Sequence, residues 1–171
     1  MGRVKDGDES SPGPNEQERR ISVAKAILGV DGPSLTIPDT LYKKDALGDL
    51  IRALLKVQHI EPGRITCTFT VNPSFTNAYN TLHGGAVGVI SEAVALGCVR
   101  SVAGDKDFFL GEWAASYLSA ARLKEELQVD GVVIRHGRSI IVTSVEFRIK
   151  QTRKLIYSVR ATFYSIPAAH L

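Results

Sequence analysis

His83-Gly84-Gly85 leads into a stretch, Ala86 to Ala103, that is apolar on nearly every face and carries one carboxylate, Glu92, in its middle. The pattern predicts a buried helix with an acid that such a helix does not ordinarily keep. Burying an unpaired charge costs several kcal/mol or drives the group to its neutral form. Two glycines let another molecule approach the backbone closely, at a helix N-terminus whose free N–H groups attract negative charge. The chemistry suggested is an oxyanion site and a carboxylate organised by one helix. Glu92 lies eight residues beyond Gly84, about 12 Å along the axis, so one small reacting group cannot touch both in one subunit. If both serve one reaction, two such helices must run antiparallel across a two-fold interface, which gives two equal sites.

The segments around this helix change period. Leu47, Leu50, Ile51, Leu54 and Leu55 recur at amphipathic-helix spacing. After Glu61-Pro62-Gly63, Ile65, Cys67, Phe69 and Val71 alternate with Arg64, Thr66, Thr68 and Thr70, as in a half-buried strand. Val71 to Asn80 reads as a loop. Four more strands are expected: Phe108 to Leu118, less cleanly alternating; Glu126 to Arg135; one around Ile141 to Ile149; and one around Leu155 to Phe163. The short connections His136-Gly137-Arg138 and Gln151-Thr152-Arg153 make successive strands antiparallel. The order is helix, strand, long helix, four strands. It predicts an α+β layer in which an antiparallel sheet wraps a long central helix.

Residues 1–18 are polar and rich in Gly, Pro and Ser, which reads as a disordered tail. Residues 19–56 read as a helical extension, with a short helix at Ile21 to Leu28 ending at Gly29, and 57–171 as the sheet domain. Neither a secretory signal nor a myristoylation pattern is visible, and Asp6, Asp8 and Glu9 argue against a transit peptide. Glu92 and Arg100 make the long apolar stretch a core helix rather than a membrane span. The expected compartment is cytoplasmic, or peroxisomal if Ala169-His170-Leu171, loosely similar to Ser-Lys-Leu, is an address.

At 171 residues, 44% hydrophobic, 23% charged and with net charge +3, the chain is sized for one core. The weak charge and the absence of a basic stripe argue against nucleic acid. Cys67 and Cys98 are far apart and outside any CxxC pattern, so neither a zinc nor a redox motif is present, and both read as core residues.

The segment Asn77 to Glu92, Asn-Ala-Tyr-Asn-Thr-Leu-His-Gly-Gly-Ala-Val-Gly-Val-Ile-Ser-Glu, resembles the signature of hotdog-fold acyl-CoA thioesterases of the phenylacetate-pathway type. The similarity extends over about 60–164 and includes Arg135-His136-Gly137-Arg138-Ser139. It implies a hotdog fold, a homodimer or dimer of dimers, an acyl- or aryl-CoA substrate, and neither metal nor cofactor. The resemblance places catalysis on four positions. Gly84 N–H would hold the thioester oxyanion, and Glu92 of the partner would attack or activate water. Asn77 would bond the water or carboxylate, and His83 would orient the loop or thioester. Gly85, Arg135, Gly137, Arg138 and Ser139 would meet the substrate, the arginines as charge-assisted contacts to coenzyme A.

Two departures matter. Glu rather than Asp at position 92 resembles the aryl-CoA branch, and Leu110 stands where relatives place a water-holding Ser or Thr. Ser116 and Ser119 lie further along. Two other readings of the same residues are a 3-hydroxyacyl thioester dehydratase or hydratase and a non-catalytic acyl-CoA binder. The glycine pair after His83, and the lack of a Pro-Gly helix start, favour hydrolysis over the first. Leu110 keeps the second open. Without their neighbours, His83 is a bonded loop histidine, Asn77 a turn residue, and Arg135 and Arg138 solvated turn charges. Ser91 is expected to pack or bond back to its helix, and Trp113 to pack in the sheet or line an acyl pocket.

Overall fold

The computed structural model describes residues 14–30, 32 and 36–166. They fall into two compact units divided after Tyr42. In the first, α1 spans Pro14–Ile27. Proline suits a first turn because its missing N–H would have no partner there. Glu16 and Arg20 pair at 2.5 Å, one turn apart. Gly29 ends the segment with φ of 68°. Helix therefore begins earlier than the Ile21 expected, and residues 14–18, read as tail, are helical. Residues 1–13 and Ala169-His170-Leu171 lie outside the described residues.

The second unit begins at Lys43 and contains α2 (Ala46–Leu54), the strands β1 (Lys56–Glu61), β2 (Arg64–Thr70), β3 (Phe108–Tyr117), β4 (Glu126–His136), β5 (Ile140–Ile149) and β6 (Leu155–Ser165), and α3 (Gly84–Ala103). The grouping of 19–56 as one extension is thus corrected. Helix α2 buries Ile51 and packs with Leu54 on the core beneath α3, so it belongs with the sheet. The sheet is antiparallel, in the order β1-β2-β4-β5-β6-β3.

Strand β1 is absent from the sequence reading because all six of its residues are exposed and no face alternates. The hairpin to β2 turns through Pro62-Gly63, with Gly63 at φ of 77°, where proline and then glycine suit a tight turn.

Helix α3 lies across the sheet. Val87, Ile90, Ser91, Val94, Ala95, Cys98 and Val99 are buried. Its approach is close because Gly131 of β4 lies beneath it: a Cβ there would stand 2.6 Å from Val94 Cγ1 and 2.9 Å from Cys98 Sγ. Phe69, Phe147, Phe163, Leu127 and Ile141 complete the core. Helix α3 is long and apolar enough to cross a membrane, but it is the core helix of this sheet.

The uneven alternation of β3 has a local cause. A bulge between Leu110 and Glu112 shifts its register against β6. A Cβ on Gly111 would stand 2.4 Å from the Tyr164 ring, so glycine is required at the bulge. Beyond it, Trp113 and Tyr117 both bond to α3.

Candidate active site

His83 is the N-cap of α3. Its Nδ1 accepts the Gly85 N–H at 2.9 Å, and its carbonyl accepts the N–H groups of Ala86 and Val87. An imidazole accepting at Nδ1 carries its proton on Nε2 when neutral. The cap uses one of the amides that the sequence reading left free. The Gly84 N–H makes no hydrogen bond among the described residues. Beside it, Leu47 of α2, the 74–76 loop, His83, Gly85 and Val89 line a cleft of about 220 Å³.

Asn77 sits at the base of the loop before the helix. Its side-chain oxygen accepts the N–H groups of Tyr79 and Thr81 and the Thr81 hydroxyl, at 2.9, 3.3 and 3.1 Å. It is therefore the organiser of an Asx turn. The His83 N–H donates to the Phe75 carbonyl at 2.7 Å, which fixes the loop to the helix start.

Glu92 is exposed within its own chain, which corrects the expectation of a buried acid. The apolar residues of α3 are split between two faces. One is pressed on the sheet. The other carries Gly85, Val89, Glu92, Ala93, Leu96 and Arg100, all exposed or half-buried, within an arc of about 100°. Hydropathy cannot separate two faces that are both apolar. Glu92 thus shares an open stripe with Gly85 and Val89 of the cleft. Ser91, next to it, is buried, accepts the Trp113 indole N–H at 3.0 Å and donates to the Gly88 carbonyl at 2.8 Å. Trp113 packs on the helix at Gly88, with its indole partly exposed.

The β4–β5 turn, with Arg135, Gly137, Arg138 and Ser139, lies elsewhere. His136, Gly137 and Arg138 border a cavity of about 480 Å³ with Ala103, Lys106 and Phe108, at the C-terminal end of α3. Lys106 Nζ donates to the Arg138 carbonyl at 3.3 Å. The helix runs about 28 Å from Gly84 to Ala103. One chain thus brings His83, Gly84, Gly85 and Asn77 together but keeps the arginine turn at the far end.

Sequence reasoning missed Tyr117, whose hydroxyl donates to the Gly84 carbonyl at 3.1 Å. The signal available was a polar aromatic on the strand after the helix, but the Gly111 bulge hid which face it occupies. The two cysteines are buried, and burial pushes the Cys98 thiol up to about 11. Among the described residues no cluster of potential metal ligands occurs.

A six-stranded antiparallel sheet crossed by one long helix is the hotdog fold. Residues 79–156 match the thioesterase superfamily. Human acyl-coenzyme A thioesterase 13 is 26% identical over 129 residues, covering 68% of this chain and 92% of the relative. Among solved structures, zebrafish thioesterase superfamily member 2 covers 84% of this chain and 96% of its own, with TM-score 0.66 and 21% identity. The Escherichia coli PaaI protein of the phenylacetic acid degradation operon covers 74% and 88%, with TM-score 0.64 and 17% identity. A Streptococcus pneumoniae thioesterase protein solved with coenzyme A covers 70% and 93%, with TM-score 0.64 and 21% identity. Over its sheet and central helix the chain has the fold of these thioesterases, and its residues 79–156 are similar to their superfamily.

Proposed function

We propose that the protein hydrolyses acyl- or aryl-coenzyme A thioesters to the free acid and coenzyme A, as a homodimer or a dimer of dimers. The superfamily match and the names of its relatives support thioester hydrolysis. The coenzyme A reported with a similar fold supports the substrate class. The observation that carries the reading is the first turn of α3, where the Gly84 N–H lies uncommitted beside an open cleft, on a helix with an exposed carboxylate two turns on.

In this mechanism the thioester carbonyl points at the Gly84 N–H. The helix dipole and that donor stabilise the oxyanion as the tetrahedral intermediate forms. Glu92 of the partner subunit attacks the carbonyl carbon or takes a proton from the attacking water. The C–S bond then breaks and the coenzyme A thiolate leaves, taking up a proton; where Glu92 is the nucleophile, water next cleaves the Glu92–acyl anhydride to give the free acid. His83 orients the turn through its cap, and Asn77 holds the preceding loop, with its amide N–H₂ available to water or carboxylate.

Arg135 and Arg138 act on the coenzyme A phosphates, with Gly137 and Ser139 shaping the turn. Because that turn lies at the far end of its own α3, it reaches the thioester site of a partner helix that runs antiparallel. Dimerisation covers the exposed stripe and transfers Glu92 from water to a drier setting. Leu110, half-buried, offers no hydroxyl to the attacking water, so water positioning rests on Asn77 and Glu92.

The test is free-thiol release from a panel of acyl- and aryl-coenzyme A thioesters by wild type and Glu92→Ala. Release by wild type that collapses in the variant supports hydrolysis through Glu92. An enoyl or hydroxyacyl thioester product would mean dehydratase or hydratase chemistry instead. A ligand-induced rise in melting temperature without turnover would mean a binding protein.

A further inference from the structure

The peptide linking Gly84 to Gly85 has no side chain on either flank, so its plane is not fixed by local sterics. The fold holds it at both ends. Its N–H, that of Gly85, donates to His83 Nδ1 at 2.9 Å. Its carbonyl, that of Gly84, accepts the Tyr117 hydroxyl at 3.1 Å. The second brace comes from the edge strand β3, not from the loop or the helix itself.

Tyr117 is itself anchored. Its ring meets Tyr157 edge to face at 5.5 Å. Tyr157 is buried, and its hydroxyl accepts the Ala121 N–H at 3.0 Å. A line of fixed contacts therefore runs from the core through two tyrosines to the first turn of α3. The reach also depends on glycine: a Cβ on Gly84 would stand 3.3 Å from the Tyr117 hydroxyl, tighter than ordinary packing.

We infer that Tyr117 is a positioning residue for the oxyanion donor: its hydroxyl fixes the Gly84–Gly85 peptide and so aims the Gly84 N–H. The inference rests on the reading of Gly84 given above. On the other side, the His83 N–H is held by Phe75. With peptides fixed before and after it, the backbone at Gly84 has little freedom left. A donor aimed in advance needs no reorganisation as charge develops on the thioester oxygen. An interaction of this kind acts on the transition state more than on the bound substrate.

Tyr117→Phe tests this, because phenylalanine keeps the ring against Tyr157 and removes only the hydroxyl. The expected result is a fall in kcat of about fivefold, the equivalent of roughly 1 kcal/mol for one neutral hydrogen bond. KM and melting temperature should stay near wild type. Amide hydrogen exchange at Gly85, whose N–H is bonded to His83 Nδ1, followed by NMR, should quicken in the same variant, independently of turnover. Unchanged kcat with unchanged exchange would overturn the inference. So would a raised KM at constant kcat, which would make the hydroxyl a substrate contact. If wild type releases no thiol, the hydrolase reading fails, and exchange alone decides whether Tyr117 braces the turn.

Discussion

At its N-terminal end α3 presents two glycines, a histidine cap and a tyrosine brace, with the Gly84 N–H uncommitted among the described residues. At its C-terminal end Arg100 reaches the Lys106 carbonyl and the Asp107 carboxylate, and Lys106 reaches the Arg138 carbonyl. The first end is made of backbone dipoles, and it suits a small developing negative charge. The second is made of long cationic side chains around a wider cavity, and it suits a large anion. The two chemistries match the two halves of a coenzyme A thioester, yet one helix holds them about 28 Å apart. The contrast is what the proposed shared site would resolve, with two copies of α3 each supplying what the other lacks.

The sharpest way to break this comparison is at Glu92, midway between the ends. Glu92→Ala should lower kcat by about 10²- to 10⁴-fold. Because the side chain is exposed in its own chain, the protomer fold should survive, as far-UV circular dichroism would check. Full activity in the variant would remove Glu92 from the mechanism.

How closely the helix between the two ends approaches the sheet depends on the packing beneath it. Gly131→Leu should destabilise the protein by about 1–3 kcal/mol through overpacking against Val94 and Cys98. Urea denaturation would measure this. Wild-type stability would mean that the helix can lift without penalty.

The far end has its own test. Arg138→Ala should raise KM for coenzyme A thioesters roughly five- to tenfold. The kinetics of a thioester of N-acetylcysteamine, which has no phosphates, should not change. Equal effects on both substrates would deny the turn a phosphate-binding role.

The smallest effect concerns the buried thiols. Burial raises the Cys98 thiol from 9.0 to about 11 in the folded chain. The unfolded chain therefore ionises first, and this group withdraws stability as pH rises from about 9 towards 11, with no contribution below. Iodoacetamide at pH 8 should label neither cysteine until denaturant is added. Labelling of the native protein would show that the core opens.

Much of this was legible in the sequence, and the remainder was hidden for identifiable reasons. The alternation in β2, β5 and β6 and the apolar run of α3 specify an antiparallel sheet on a helix, because burial on one face writes a period into the chain. Strand β1 buries nothing and so writes no period. The bulge at Gly111 breaks the period of β3 and conceals Tyr117. His83, Gly84 and Gly85 were readable as a helix start. The division of α3 into a sheet-facing side and an open stripe was not, since Val94 and Leu96 are alike in hydropathy and differ only in what covers them. Asn77 shows the reverse: its turn role, a plain reading from residue type, is what its side-chain oxygen does.

The claim that two chains share each site is tested most directly by complementation. Glu92→Ala and Gly84→Val would be co-expressed with different tags, and the mixed dimers compared with each variant alone. Each variant should be inactive. A mixed dimer carries one site with both an intact Gly84 and an intact partner Glu92, so a statistical mixture should recover about a quarter of the wild-type rate. Mixed dimers that form but remain as inactive as their parents would place Gly84 and Glu92 in separate reactions or in one chain, and would contradict the account.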